Sequence, residues 1–361
     1  MTVKFTRPSI NIRETLDQLN KPSGIAGNAM LAADTPQEQF NLIGAGRKNL
    51  IINGGFDVWQ RGTSFTPAQV YGYSADRARL SSGSTVNITK ESATIEGNVV
   101  NTLKHSITST SVGWDTRYDQ RIEEFDYFKN KTFTLSFWVK SSRTHALSSS
   151  QIYFGGGGIN TLDLYADYNM GDVTPTWTKK VITFSVGDLS TATGTYVDLV
   201  IGITSDGAAI DIEYAQMQLE IGKVATPFEH RSFSEELALC QRYYEKSFNY
   251  DDAPANGSSA TTFSTNAGRD FCDVAIWAKH STINFNVEKR INPSITRYGN
   301  SSGYWGYLSV GTAAPASDSA YAFHQNLLAS SSSKKSVSAN NQVSGQPLWG
   351  IIGHWTADAE L

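Results

Sequence analysis

The sequence predicts an all-β protein: tandem antiparallel β-sandwiches of jelly-roll type, with a short helical N-terminal anchor and one connecting helix. Three observations carry this. Residues 131–140 alternate cleanly, with Phe133, Leu135, Phe137 and Val139 on one face and Thr132, Thr134, Ser136 and Trp138 on the other. Charged residues make up only 18% and aromatics reach 11%, with 30 glycines, which suits short strands joined by turns. No helical stretch separates the strand-like runs of 49–229, so they read as antiparallel sheets rather than βα crossovers.

The remaining composition sets limits. A chain of 361 residues has room for two or three domains. With 40% apolar residues it can bury cores, which excludes wholesale disorder. A net charge of −4 with no basic tract argues against a nucleic-acid partner. No apolar run is long enough to insert in a membrane. The opening Met1-Thr2-Val3-Lys4 lacks the apolar region of a signal peptide, so synthesis in a reducing cytoplasm is expected. Cys240 and Cys272 read as small buried hydrophobes, although a disulfide between them stays open.

Residues 1–48 form the first unit. Asn11 and Glu14 start one short helix carrying Ile12, Leu16 and Leu19. Thr35-Pro36-Gln37-Glu38 is a capping box with Pro at the first helical position, ahead of Phe40, Leu42 and Ile43. Two helices this short cannot bury a core alone, so the segment is expected to pack on a partner.

Residues 49–229 form the sandwich. Gly54-Gly55 follows an apolar run, where a positive φ or a bulge is expected. Phe56, Val58 and Trp59 cap the core, and Asp76-Arg77 reads as a local ion pair holding a loop. Strands follow at 131–140, 180–186 and 195–204. Another begins with Ile210, Ile212 and Tyr214 and resumes at Met217 and Leu219, the parity change marking a one-residue bulge. Pro227 ends the sandwich.

Residues 230–361 form the last unit. Ser232-Phe233-Ser234-Glu235 is a capping box, and Leu237, Cys240 and Tyr244 predict a helix to Lys246. Strands are expected at 271–278, 282–287, 294–298, 304–310, 320–328 and 350–356, with Ser330–Ser336 as an exposed loop.

Catalytic chemistry is not expected, nor is a cofactor or a metal site. Gly155–Gly158 lacks the Lys and helix of a phosphate loop. The histidines 105, 145, 230, 280, 324 and 354 fall at no ligand spacing. Adjacent Glu123-Glu124 and Asp251-Asp252 point to opposite faces of a strand and cannot flank one glycosidic bond. Asp57 and Asp211 are strand-end carboxylates of the kind that hold a structural Ca²⁺, but no dense oxygen-ligand loop accompanies them. The candidate binding residues are Tyr304, Trp305 and Tyr307 on the loop Asn300-Ser301-Ser302-Gly303, where flat rings suit stacking on sugar faces. The competing reading makes them core or interface rings.

Six stretches carry a resemblance. They are 49–62 (Asn49-Leu50-Ile51-Ile52-Asn53-Gly54-Gly55-Phe56 onward), Tyr73–Arg77, Gln216–Gly222, Thr226–Arg231, Ala238–Tyr244 and Trp355–Leu361. Together with Ser23–Asn28 they resemble bacteriophage tail-fibre and tail structural proteins. The Asn-Gly-Gly-Phe run also resembles carbohydrate-binding jelly rolls that accompany glycoside hydrolases. The first resemblance implies a virion tail protein, a homotrimer, docked on other tail proteins through residues 1–48. It also implies a C-terminal domain that faces host surface polysaccharide. The alternatives are a purely structural tail or capsid accessory protein, or a stand-alone carbohydrate-binding module.

Overall fold

The computed structural model describes residues 47–66, 71–109, 115–123, 125–146, 149–155, 163–164, 171–188, 196–255, 280–298, 306–309, 322–323, 328–340, 348–352 and 354–360. The predicted helices of residues 1–46, Cys272 and the strand at 271–278 lie outside them.

Two six-stranded antiparallel sheets make the sandwich. In chain order the strands are β1 (Ser64–Phe65), β2 (Tyr71–Tyr73), β3 (Arg79–Ser82), β4 (Thr85–Ile95), β5 (Asn98–Ser109), β6 (Asp115–Glu123) and β7 (Thr132–Ser141). There follow β8 (His145–Ala146), β9 (Ser149–Gly155), β10 (Asp163–Leu164), β11 (Asp172–Val173), β12 (Thr178–Ser185), β13 (Tyr196–Thr204) and β14 (Ile210–Ile221). The first sheet runs β1-β4-β5-β14-β7-β12 and the second β10-β9-β13-β6-β3-β2. Their inner faces meet in one core. The first sheet contributes Leu103, Phe133, Leu135, Phe137, Tyr214 and Leu219, and the second Leu80, Tyr118, Val197, Leu199 and Ile201. Each such side chain, once fully buried, stabilises the fold by about 1.5–3 kcal/mol. The expected all-β sandwich is what the chain forms.

The parity change after Tyr214 is a true bulge. Pairing of β14 with β7 shifts between Ala215 and Gln218, and Gln216 takes φ 48°. The two glycines before Phe56 serve a different end from the one expected. The positive φ values fall on Asn53 (59°) and Phe56 (54°), not on the glycines. Gly54 is required by close approach: a Cβ there would lie 2.1 Å from the Met217 carbonyl oxygen. Its own carbonyl accepts the Met217 N–H at 2.8 Å, so the turn plugs into the bulge.

Helix α1 (Phe233–Gln241) starts as predicted, with the Ser232 hydroxyl accepting the Glu235 N–H. It stops earlier than the spacing suggested. Tyr244, assigned to the helix by its i+7 position, opens strand β15 (Tyr244–Lys246) instead. Further strands are β16 (His280–Asn284), β17 (Ser294–Tyr298), β18 (Gly306–Ser309), β19 (Ala322–Phe323), β20 (Leu328–Ser332), β21 (Ser336–Asn340), β22 (Leu348–Ile352) and β23 (His354–Asp358). They pair as three small sheets, β15-β23-β17, β16-β21-β20 and β19-β18-β22. The serine run expected to be a loop is mostly strand: β20 and β21 form a hairpin whose turn is closed by Ser333 Oγ accepting from the Ser336 N–H at 3.0 Å.

Candidate functional site

Two polar clusters dominate the described residues. The first sits where the sandwich meets the sheet β15-β23-β17. Arg61 pairs with Asp76 at 3.2 Å, Asp358 at 3.3 Å and Glu360 at 3.2 Å, and its guanidinium lies 3.6 Å from the Tyr244 ring centroid. Arg77, 1% exposed, pairs with Glu360, donates to the Arg121 carbonyl and covers the Tyr243 ring at 3.6 Å. Asp76 also accepts from Gln60 Nε2 at 2.6 Å. Burial pushes its carboxyl up to about 6, against the pull of Arg61. Asp76 and Arg77 therefore do not pair with each other, as sequence adjacency suggested. Asp76 is committed to Arg61 and Gln60, and Arg77 to Glu360.

The neighbouring contacts extend this joint. Asn49 Nδ2 donates to the Met217 carbonyl at 2.9 Å, and the Glu229 carboxylate accepts the Lys48 and Asn49 N–H groups at 2.7 and 2.6 Å. Arg231 pairs with Glu229 and Glu236, and Glu236 accepts the Asn53 N–H at 2.5 Å. Gln218 and Glu220 bind Thr226 on the segment that follows β14. All six stretches that carry the tail-protein resemblance meet here. Their shared residues thus specify a joint, and no substrate chemistry is found among them. Cys240 is free and buried in it, and burial pushes its thiol pKa up.

The second cluster lies on the outer face of the second sheet. Alternation sends Tyr118 and Gln120 of β6 and Val197, Leu199 and Ile201 of β13 inward. It leaves Arg117, Asp119, Arg121, Tyr196, Asp198 and Val200 on the opposite face, with Arg79 of β3 beside them. Arg79 stands in register with Asp119, and Arg121 with Asp198. The pairs close at 3.3 Å and 3.5 Å. Arg121 also lies over the Tyr196 ring at 4.6 Å.

The carboxylates of this face are covered: the Asp119 side chain is 5% exposed and that of Asp198 15%. In both pairs the arginine binds Oδ2. Oδ1 of Asp119 and Oδ1 of Asp198 are buried without a hydrogen-bond partner among the described residues. Burial and the neighbouring Asp198 push the Asp119 carboxyl up to about 7, against Arg79, Arg117 and Arg121. Asp198 is raised as well, chiefly by burial. The face thus sets arginine cations beside covered carboxylates and the Tyr196 ring.

Sequence reasoning missed this cluster. Its one visible signal is the period-two charge of Arg117, Asp119 and Arg121 around Tyr118, Gln120 and Ile122. The residues it did single out are placed otherwise. Tyr304 and Trp305 lie outside the described residues, and Tyr307 is described only as backbone in β18, opposite Ile351 and Ala322. Asp57 accepts from Asn101 at 2.6 Å and Asp211 pairs with Lys104 at 2.8 Å. Among the described residues no group of three or more His, Cys, Asp or Glu side chains is arranged to hold a metal. None of their helices is long and apolar enough to cross a membrane.

The fold and site define a β-sandwich protein with a polar outer sheet face. No protein-family model matches the chain, and no curated protein matches it. Among solved structures, it resembles the enzymatically active domain of tailspike protein 4 from bacteriophage CBA120. Identity is 18% over 48% of this chain and 21% of that one, with a TM-score of 0.32, so the chain spans about a fifth of that domain's length. It also resembles the CBM22 tandem domain of Paenibacillus barcinonensis Xyn10C, at 13% identity over 88% and 92% of the two chains and a TM-score of 0.30. A CBM4 structure is 15% identical over 47% of this chain and 98% of its own, with a TM-score of 0.29. Likenesses this faint carry no argument about function.

Proposed function

We propose that this chain is a phage tail-fibre protein that binds host surface polysaccharide without cleaving it. The observation that supports the glycan half is the polar outer face of the second sheet, where Arg121 lies over the Tyr196 ring at 4.6 Å beside Arg79. Rings and guanidinium planes supply flat surfaces on which a sugar ring packs. The tail half is supported by the six sequence stretches that build the joint. On this reading residues 1–48 dock on other tail proteins, three chains assemble, and Tyr304, Trp305 and Tyr307 form a second contact surface. Several weak sites per particle then raise avidity by on the order of 10²–10⁴.

Adsorption of the purified full chain to host cells tests this. Arg121→Ala and Trp305→Ala should each weaken adsorption while light scattering still reports a trimer and no new reducing ends appear in the polysaccharide. A chain lacking residues 1–48 should keep cell binding and lose incorporation into particles. Adsorption unchanged in both point variants would overturn the glycan reading, and a monomer at micromolar concentration would overturn the fibre.

A further inference from the structure

We propose that Asn53-Gly54 is a self-modification site. The closed joint keeps it inert, and opening of the joint lets Asn53 convert to aspartate or isoaspartate, after which the joint does not re-form. This rests on the geometry of the joint and is independent of any ligand.

The chemistry needs only these two residues and water. Glycine after asparagine favours it, because no side chain on the second residue obstructs its amide nitrogen or restricts its backbone. That nitrogen, deprotonated by hydroxide, bonds to Asn53 Cγ. The Cγ–Nδ2 bond breaks, and the leaving nitrogen takes a proton from water and departs as ammonia. Water then opens the succinimide ring at either carbonyl, giving aspartate or isoaspartate. For the ring to close, the side-chain amide must swing over the following peptide unit, and that unit must turn to meet it.

The fold blocks both movements. Asn53 Nδ2 donates to the Val58 carbonyl at 2.8 Å and to the Asp76 carbonyl at 2.9 Å, and Oδ1 accepts the Val58 N–H at 2.9 Å. Three bonds fix the plane of the side-chain amide. The Asn53 carbonyl accepts the Phe56 N–H at 3.0 Å, and the Gly54 carbonyl accepts the Met217 N–H at 2.8 Å. These pin the peptide unit that contains the attacking nitrogen and the one after it. Glu236 holds the Asn53 N–H from the other side at 2.5 Å. Asn53 is 1% exposed, so hydroxide is kept from the reacting atoms.

The same bonds make the change one-way. The amide directs two hydrogens at two carbonyl oxygens. A carboxylate in its place has none to give, and a protonated carboxyl has one. Backbone strain is not the obstacle, since Asn53 has φ 59° and aspartate tolerates that region as asparagine does. What is lost is the pair of donors that ties Asn53 to Val58 and to the Asp76 loop. Isoaspartate also adds a methylene to the main chain, between the Glu236 contact and the Met217 contact. An opened chain modified faster than it closes is removed from the folding equilibrium.

Ageing the full chain at mildly alkaline pH, in buffer and in urea, with peptide mass mapping, tests this. In urea, Asn53 should convert at a rate similar to Asn256, which also precedes a glycine. In buffer it should convert at least about a hundredfold more slowly than in urea, because conversion then waits on local opening. Glu236→Ala removes the acceptor of the Asn53 N–H and should speed conversion in buffer by about tenfold, with thermal melting showing that the variant is still folded. Asn53→Asp supplies one product without ageing, and after dilution from urea it should not regain the wild-type melting temperature at neutral pH. Equal rates in buffer and in urea would overturn the protection. Conversion in folded Glu236→Ala no faster than in wild type would overturn the joint as its gate. An Asn53→Asp chain as stable as wild type would overturn the one-way step.

Discussion

The joint and the outer sheet face are made of the same parts: arginines, carboxylates and tyrosines, mostly buried, on or beside the second sheet. They differ in how completely those parts are used. In the joint, Glu360 divides its two oxygens between Arg61 and Arg77, and Asp76 divides its own between Arg61 and Gln60. On the outer sheet face, each carboxylate has one oxygen on an arginine and one buried without a partner among the described residues. The joint's carboxylates are fully paired, although the Arg77 Nε is buried without a partner among the described residues; every unpaired buried charge weakens such a joint. A half-filled network is tolerated where something else completes it. Identical residue types thus separate into architecture and candidate site by their leftover hydrogen-bonding capacity, not by their identity.

Removing a carboxylate from the joint gives the largest expected effect. Glu360→Ala leaves Arg77 buried without its carboxylate and strips one of the three partners of Arg61. Loss of one member of a buried pair costs about 3–5 kcal/mol. Chemical denaturation should show a loss of that order, while sugar binding by the protein still folded should be unchanged. If Glu360→Ala is as stable as wild type, the joint is not the fastening the contrast requires. Gly54→Ala comes next, at about 2–3 kcal/mol. Its methyl would collide with a backbone oxygen that cannot rotate away, so either the Met217–Gly54 hydrogen bond or the bulge must give. A melting temperature within a degree of wild type would show that the turn can slide off the bulge freely.

The sequence foretold the sandwich better than it foretold either cluster, for a physical reason. Alternation along a strand is local, so Phe133 to Val139 and the parity break before Met217 are visible in single segments. Pairings across long sequence distances are not. Tyr244 satisfied a helical spacing with Leu237 and Cys240, yet it pairs with Asp358, which no local pattern can announce. Asp76 and Arg77 were adjacent and opposite in charge, yet the fold pairs Asp76 with Arg61 and Gln60 and Arg77 with Glu360, far along the chain. Strand β6 stayed hidden because its outer positions are Arg117, Asp119 and Arg121, which read as a polar loop until β3 and β13 are laid beside it. The tail-protein stretches were legible as a set, but their common purpose shows only when the chain is folded and they converge on one joint.

The smallest effect expected is also the sharpest contrast with Glu360→Ala, since it has the opposite sign. Asp119 has its carboxyl raised from an unfolded value of 3.8 to about 7, first by burial and then by Asp198. Between those values the folded protein holds a proton that the unfolded chain has released, so stability falls as pH rises from about 4 to about 7 and is level above. Asp119→Asn cannot ionise and removes that slope. At pH 8 the variant should therefore be more stable than wild type, by about 1–2 kcal/mol rather than the full shift, because Arg79 loses its carboxylate. Toward pH 4 the gain should vanish. His105 works in the other direction: burial lowers its ring to about 4, so it favours folding above about 6.5 and loses that contribution as pH falls toward 4. It is present in both proteins and cancels in their difference. Denaturation curves of the two proteins at several pH values measure that difference directly. A variant less stable than wild type at pH 8 would mean that Asp119 acts as a joint residue, with its second oxygen satisfied in solution, and the distinction between the two clusters would fail at its centre.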